Sequence, residues 1–202
     1  MVRAIMLLSL ISLPSFAGDN TISITTKGSN NSITTKQMGN GNSTTILCGA
    51  GSGGSVPGST YVAHTCSGAV WNATVDGNSN TVRMYTVWSN NIGSTNTITI
   101  SGNDNFAYID QDEDDNTSSI TQTGNSNHAE QLGTGDDNVY SITQIGNSKY
   151  AKIMAFGTIL ILLFTSLVLG YTILISGTIT MRIITQWWSP KAEAETKTRI
   201  SS

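Results

Sequence analysis

A tetrad of the form Gly-Asn-x-Asn recurs along this chain of 202 residues, and its spacing narrows the possible folds more than any other feature. It reads GNGN at Gly39, GNSN at Gly77, GNDN at Gly102 and GNSN at Gly124, with GNSK at Gly146; the last three lie 22 residues apart. In that register Ile98, Ile120 and Ile142 fall in one column, Gln122 and Gln144 in a second, and Ala107, Ala129 and Ala151 in a third. A fixed period marks a chain built by stacking one supersecondary unit. The step from Gly39 to Gly77 is longer by about the length of the stretch from Cys48 to Cys66, so that stretch is expected as an insertion between two coils.

Inside each unit the residues alternate: Ser118, Ile120 and Gln122 before one turn, then Asn127, Ala129 and Gln131 after it. Period-two alternation predicts strands, and the pairs Gly102-Asn103, Gly124-Asn125 and Gly146-Asn147 predict tight turns between them. Two short strands and two turns per unit, without a helix, predict an all-β solenoid of stacked strand-turn-strand coils. Rows of Asn and Gln can hydrogen-bond along such a stack, which lets a sequence poor in large apolar residues fold.

These units resemble the repeats of curlin, the amyloid-forming subunit of bacterial curli, in which a Ser-to-Gln segment, a Gly-Asn turn and an Asn-x-Ala-x-Val-x-Gln segment follow one another. Asn105, Ala107, Ile109 and Gln111 match the last segment, with Ile in place of Val. The resemblance spans about residues 20–153 and is strongest from about 93 onward. It implies a curlin-like β-solenoid in which Ser118, Ile120, Gln122, Asn127, Ala129 and Gln131 point inward. A curlin subunit is secreted free, whereas this chain adds an apolar segment.

Residues 1–17 read as a signal peptide: Arg3, an apolar run from Ala4 to about Leu13, then the small-x-small triplet ending at Ala17. An uncleaved anchor is the alternative. No charged residue occurs from Ile153 to Met181, which predicts one transmembrane α-helix over 153–178, with a buried core helix as the alternative. Arg182, Trp187 and Trp188 then mark a lipid-water boundary and 179–202 a cytoplasmic tail, leaving 18–152 as the exported solenoid.

Cys48 and Cys66 bound the Gly-rich insertion 48–66, and an exported pair predicts a disulfide; a metal site with His64 as third ligand is the alternative. The acidic run from Asp110 to Asp115 alternates like a calcium loop, but Asp115 stands where such a loop needs Gly and Thr121 where it needs Glu. A solvated turn between coils is expected there instead.

A net charge of -3 offers no field for recruiting nucleic acid. The sequence names no catalytic, cofactor-binding or metal set and no small-molecule substrate. Tyr85, Tyr108, Tyr140, Tyr150, Arg83 and Trp88 are expected outward, as a contact surface. The expectation is a membrane-anchored structural or adhesive surface protein, with the bilayer and either a protein partner or self-association as its contacts. The alternative is a minor coat protein of a filamentous phage, held in the inner membrane before assembly and used for host attachment.

Overall fold

A computed structural model of the chain describes residues 18–49, 65–86 and 91–157, together with three further strands at 161–166, 171–174 and 182–185. The signal peptide, most of the insertion with His64, Trp88 and most of the tail lie outside the described residues.

The strands are β1 (Thr21–Thr26), β2 (Ser32–Met38), β3 (Ser43–Cys48), β4 (Cys66–Ser67), β5 (Val70–Asp76), β6 (Thr81–Thr86), β7 (Asn91–Ile92) and β8 (Thr95–Ser101). They continue with β9 (Phe106–Gln111), β10 (Thr117–Thr123), β11 (His128–Thr134), β12 (Val139–Ile145), β13 (Tyr150–Phe156), β14 (Ile161–Ser166), β15 (Tyr171–Leu174) and β16 (Arg182–Thr185). Sheet A has seven strands in the order β1-β3-β6-β9-β11-β13-β15, and sheet B seven in the order β16-β14-β12-β10-β8-β5-β2. Every pairing is parallel and in register, with Ile98, Ile120 and Ile142 directly opposite one another. Residues 18–157 form a β-solenoid of about five turns, which β14 to β16 extend, and the described residues are all-β. Thr and Ile dominate these strands, and both suit a pleated surface with one face buried.

The Gly-Asn-x-Asn tetrad builds one edge of the stack. Gly102, Gly124 and Gly146 have φ of 133°, 117° and 107°, a region that L side chains avoid. A Cβ at Gly124 would collide with the carbonyl of Gly146 in the next coil. The first asparagine of each tetrad bridges coils outside the core: Asn103 N donates to Asn125 Oδ1 and Asn125 N to Asn147 Oδ1, each at 2.8 Å. The second asparagine points in and does the same. Asn105 N donates to Asn80 Oδ1, Asn127 N to Asn105 Oδ1 and Lys149 N to Asn127 Oδ1, each at 2.9 Å. Each inner amide also donates to the glycine carbonyl one coil on, as Asn127 Nδ2 does to Gly146 O at 2.8 Å. A buried amide satisfied on both sides costs no unpaired polar group, and the row ends where Lys149 replaces asparagine.

The separations along this edge are 22, 38, 25, 22 and 22 residues, read from the bonds of Asn42, Asn80, Asn105, Asn127 and Lys149 to the coil before each. The coil at 18–39 is thus a full member of the stack. The extra residues of the long step leave between β3 and β4, where Cys48 and Cys66 form a disulfide with Cα atoms 5.4 Å apart. Both cysteines are fully buried.

The core is a narrow strip between the sheets. Ile98, Ile120, Ile142, Ala107, Ala129 and Ala151 are each 0% exposed, as are Gln122 and Gln144. Gln122 Nε2 donates to Gln144 Oε1 at 2.8 Å and to Phe106 O at 3.0 Å, so the glutamine row ties the two sheets as well as adjacent coils. Ser118, Asn127 and Gln131 are also buried.

Three expectations change. The domain boundary drawn at residue 152 falls inside β13: Ile153 is 2% exposed, pairs with Gln131, and continues the inward column with Ala155. The reason is that a short apolar run has the same composition whether it closes a coil or begins a span. Beyond it, β14 and β15 lie within the segment expected as a transmembrane helix and extend the two ladders, while the rest of that segment after Gly157 lies outside the described residues. No helix among the described residues is long and apolar enough to cross a membrane.

Second, Tyr140 is not outward. It is 1% exposed, in the inward column of sheet B with Ser118 and Asn96.

Third, the acidic run is not a solvated turn throughout. Asp110 and Asp112 are 8% and 2% exposed, and Asp114 Oδ1 accepts from Ile92 N at 2.9 Å, filling the bridging role that asparagine has at the other edge.

Candidate contact surfaces of the solenoid

Parallel in-register pairing turns each outward strand position into a row running along the stack, and the two sheets carry different rows. On sheet A the first outward row is Phe106, His128 and Tyr150. The Phe106 and His128 rings stack with centroids 4.5 Å apart, and His128 and Tyr150 follow at 5.0 Å. The rung spacing of a sheet, about 4.8 Å, is the reason three rings can stack this way. Arg83 caps the row, its guanidinium carbon 5.7 Å from the Phe106 centroid.

The second row is Arg83, Tyr108, Glu130 and Lys152. Glu130 takes Lys152 Nζ at 2.6 Å on one oxygen and His128 Nε2 at 2.7 Å on the other. Burial alone would push the Glu130 carboxyl up, but the hydrogen bonds from Lys152 and His128 outweigh it and hold the carboxyl below the usual range.

The third row runs Tyr85, Asp110, Leu132 and Met154. Tyr85 meets Tyr108 edge to face at 5.6 Å, and Tyr108 OH donates to Asp110 Oδ2 at 2.8 Å. Asp110 Oδ1 is buried without a partner. Burial pushes the Asp110 carboxyl up to about 7, with Asp112 adding to it and the Tyr108 hydrogen bond working against it. The Tyr108 phenol is raised as well, by burial first and then by Asp110.

Sheet B faces outward with hydroxyls. Thr95, Thr97 and Thr99 lie over Thr117, Ser119 and Thr121, which lie over Val139, Ser141 and Thr143. Ser119 Oγ donates to Ser141 Oγ at 3.0 Å, and no charged residue occurs in β8, β10 or β12.

The structure therefore gathers Arg83, Tyr85, Tyr108 and Tyr150 on one face and adds Phe106, His128, Glu130 and Lys152, which were not singled out in the sequence. The 22-residue register would have found them, since 106, 128 and 150 are successive members of one column. The hydroxyl face was equally present as threonines two apart. Among the described residues no group of three or more His, Cys, Asp or Glu is placed to hold a metal ion. The chemistry on view is that of contact: stacking, cation–π attraction, ion pairing and hydroxyl hydrogen bonding. No protein-family model, curated protein or solved structure matches this chain.

Proposed function

We propose that the protein is an extracytoplasmic structural or adhesive element, a curlin-like β-solenoid held at a membrane by the apolar run that follows its last packed coil. The observation that carries this reading is the sheet A face, where Arg83, Phe106, His128, Tyr150, Glu130 and Lys152 form one continuous aromatic and ionic strip along the stack. Tyr, Arg and Phe are among the side chains enriched at protein interfaces. The buried Cys48–Cys66 disulfide suits an oxidising compartment.

After Gly157 the sequence runs uncharged to Met181, a stretch long enough to cross a bilayer as a helix. In lipid an open ladder leaves backbone groups unpaired, so a helix is the form proposed for this run when it is inserted.

Reconstitution of the full chain into phospholipid vesicles tests the anchor: helical amide signal alongside the β signal, with a protease-resistant membrane fragment, is expected. An all-β spectrum with complete digestion overturns it. Adhesion is tested separately on cells displaying the chain, where paired Arg83→Ala and Tyr150→Ser changes should lower attachment to a host-cell or abiotic surface; unchanged attachment removes the sheet A strip as the contact.

A further inference from the structure

We propose that the outer face of sheet B binds the surface of ice, with the rows Thr97, Ser119, Ser141 and Thr99, Thr121, Thr143 as the contact lattice. The geometry is set by the fold. Successive coils repeat every 22 residues without a register slip, so hydroxyls recur about 4.8 Å apart along the stack and, at every second residue, about 6.7 Å apart along each strand. The spacing between coils lies close to the shorter oxygen repeat on the prism faces of ice, and the spacing along the strand falls about a tenth below the longer one, a difference that the Thr side chains must take up by leaning along the strand.

The side chains suit a solid water surface. Threonine is β-branched, with a stiff first torsion, so its hydroxyl and methyl are already positioned and little entropy is lost on contact. The Ser119–Ser141 bond of 3.0 Å shows hydroxyls aligned from one coil to the next. These residues carry no charge, and Arg83, Asp110, Glu130 and Lys152 of the same coils lie on sheet A; the outward charges of sheet B, Asp76 and Lys36, stand in the coils before β8. Charged groups hold mobile hydration and would disrupt an ordered layer.

Other occupants fit less well. A protein partner wants protruding aromatic or Arg anchors, which are on the opposite face. A sugar chain wants ring platforms, which are there too. Repeated rows of short hydroxyl and methyl groups suit a repeating lattice, because each weak contact is multiplied by the number of rows engaged.

The test uses the full chain in lipid nanodiscs, with empty nanodiscs as control, in an assay of ice-grain growth and ice-crystal shape. Slowed growth and faceted crystals are expected. Thr99→Tyr with Thr121→Tyr, outward positions whose replacement leaves the core intact, should abolish the effect while the β circular dichroism is retained. Thr45→Tyr, outward on sheet A, should leave it unchanged. Absence of any effect from the parent chain overturns the proposal, as does activity that survives the paired sheet B change. Retention on crystalline cellulose or chitin in place of ice would assign the face to a polysaccharide and overturn it as well.

Discussion

Gly133 and Tyr140 share one pocket of the core: a Cβ built on Gly133 would lie 2.5 Å from Tyr140 Cε2. One coil earlier the same two positions hold Gln111 and Ser118, joined by a hydrogen bond from Ser118 Oγ to Gln111 Oε1 of 2.7 Å. A long polar side chain against a short one has been exchanged for none against a ring.

Gly133→Ala should therefore destabilise the solenoid by about 1–3 kcal/mol through overpacking. Combining it with Tyr140→Ser should recover part of the loss. Tyr140→Phe should be neutral or stabilising, because the Tyr140 hydroxyl is buried without a partner. Urea midpoints of the variants decide all three.

The glutamine row gives a second prediction. Gln144 accepts from Gln122 and donates to His128 O at 3.0 Å. Gln144→Ala leaves the buried Gln122 amide and the His128 carbonyl each short of a partner, a loss of about 1–3 kcal/mol. Amide hydrogen exchange should speed up first in β10 and β12.

Asp110 sets a pH dependence. Folded, its carboxyl is raised to about 7 by burial and by Asp112, so the folded state holds this proton more tightly than the unfolded chain does. Its contribution to stability is present below the ordinary carboxylate pKa and is lost as pH rises through about 7. Asp110→Asn, which keeps an acceptor for Tyr108 OH, should raise stability by on the order of 2 kcal/mol at about pH 8 and far less at about pH 4. Equal effects at both values would contradict this origin.

Reducing the Cys48–Cys66 bridge, which spans 18 residues, should cost about 3 kcal/mol on the chain-entropy account. The loss should concentrate in the coils carrying β3 to β6, while the coils from β8 to β13 keep their own ladder. Exchange protection before and after reduction reads this out. Labelling of either cysteine in the unfolded, unreduced chain would show that no bridge is present.

What the sequence by itself determined is what repeats locally. The 22-residue period, the Gly-Asn turns and period-two alternation specify strands, register and inward columns, because in a parallel stack a residue's neighbour is its own counterpart one period away. Tertiary structure decided what depends on pairing across the strip or at its ends. Tyr140 is inside because Gly133, facing it on the other sheet, leaves room, and the repeat relates residues along the stack and not across it. Asp110 is buried although its alternation places it outward, standing between Tyr85 and Leu132 in its row and bonded by the Tyr108 hydroxyl. Ile153 closes a coil instead of opening an apolar segment because Gln131 and the buried column it heads are already there to receive it, and hydrophobicity alone does not distinguish a core from a bilayer.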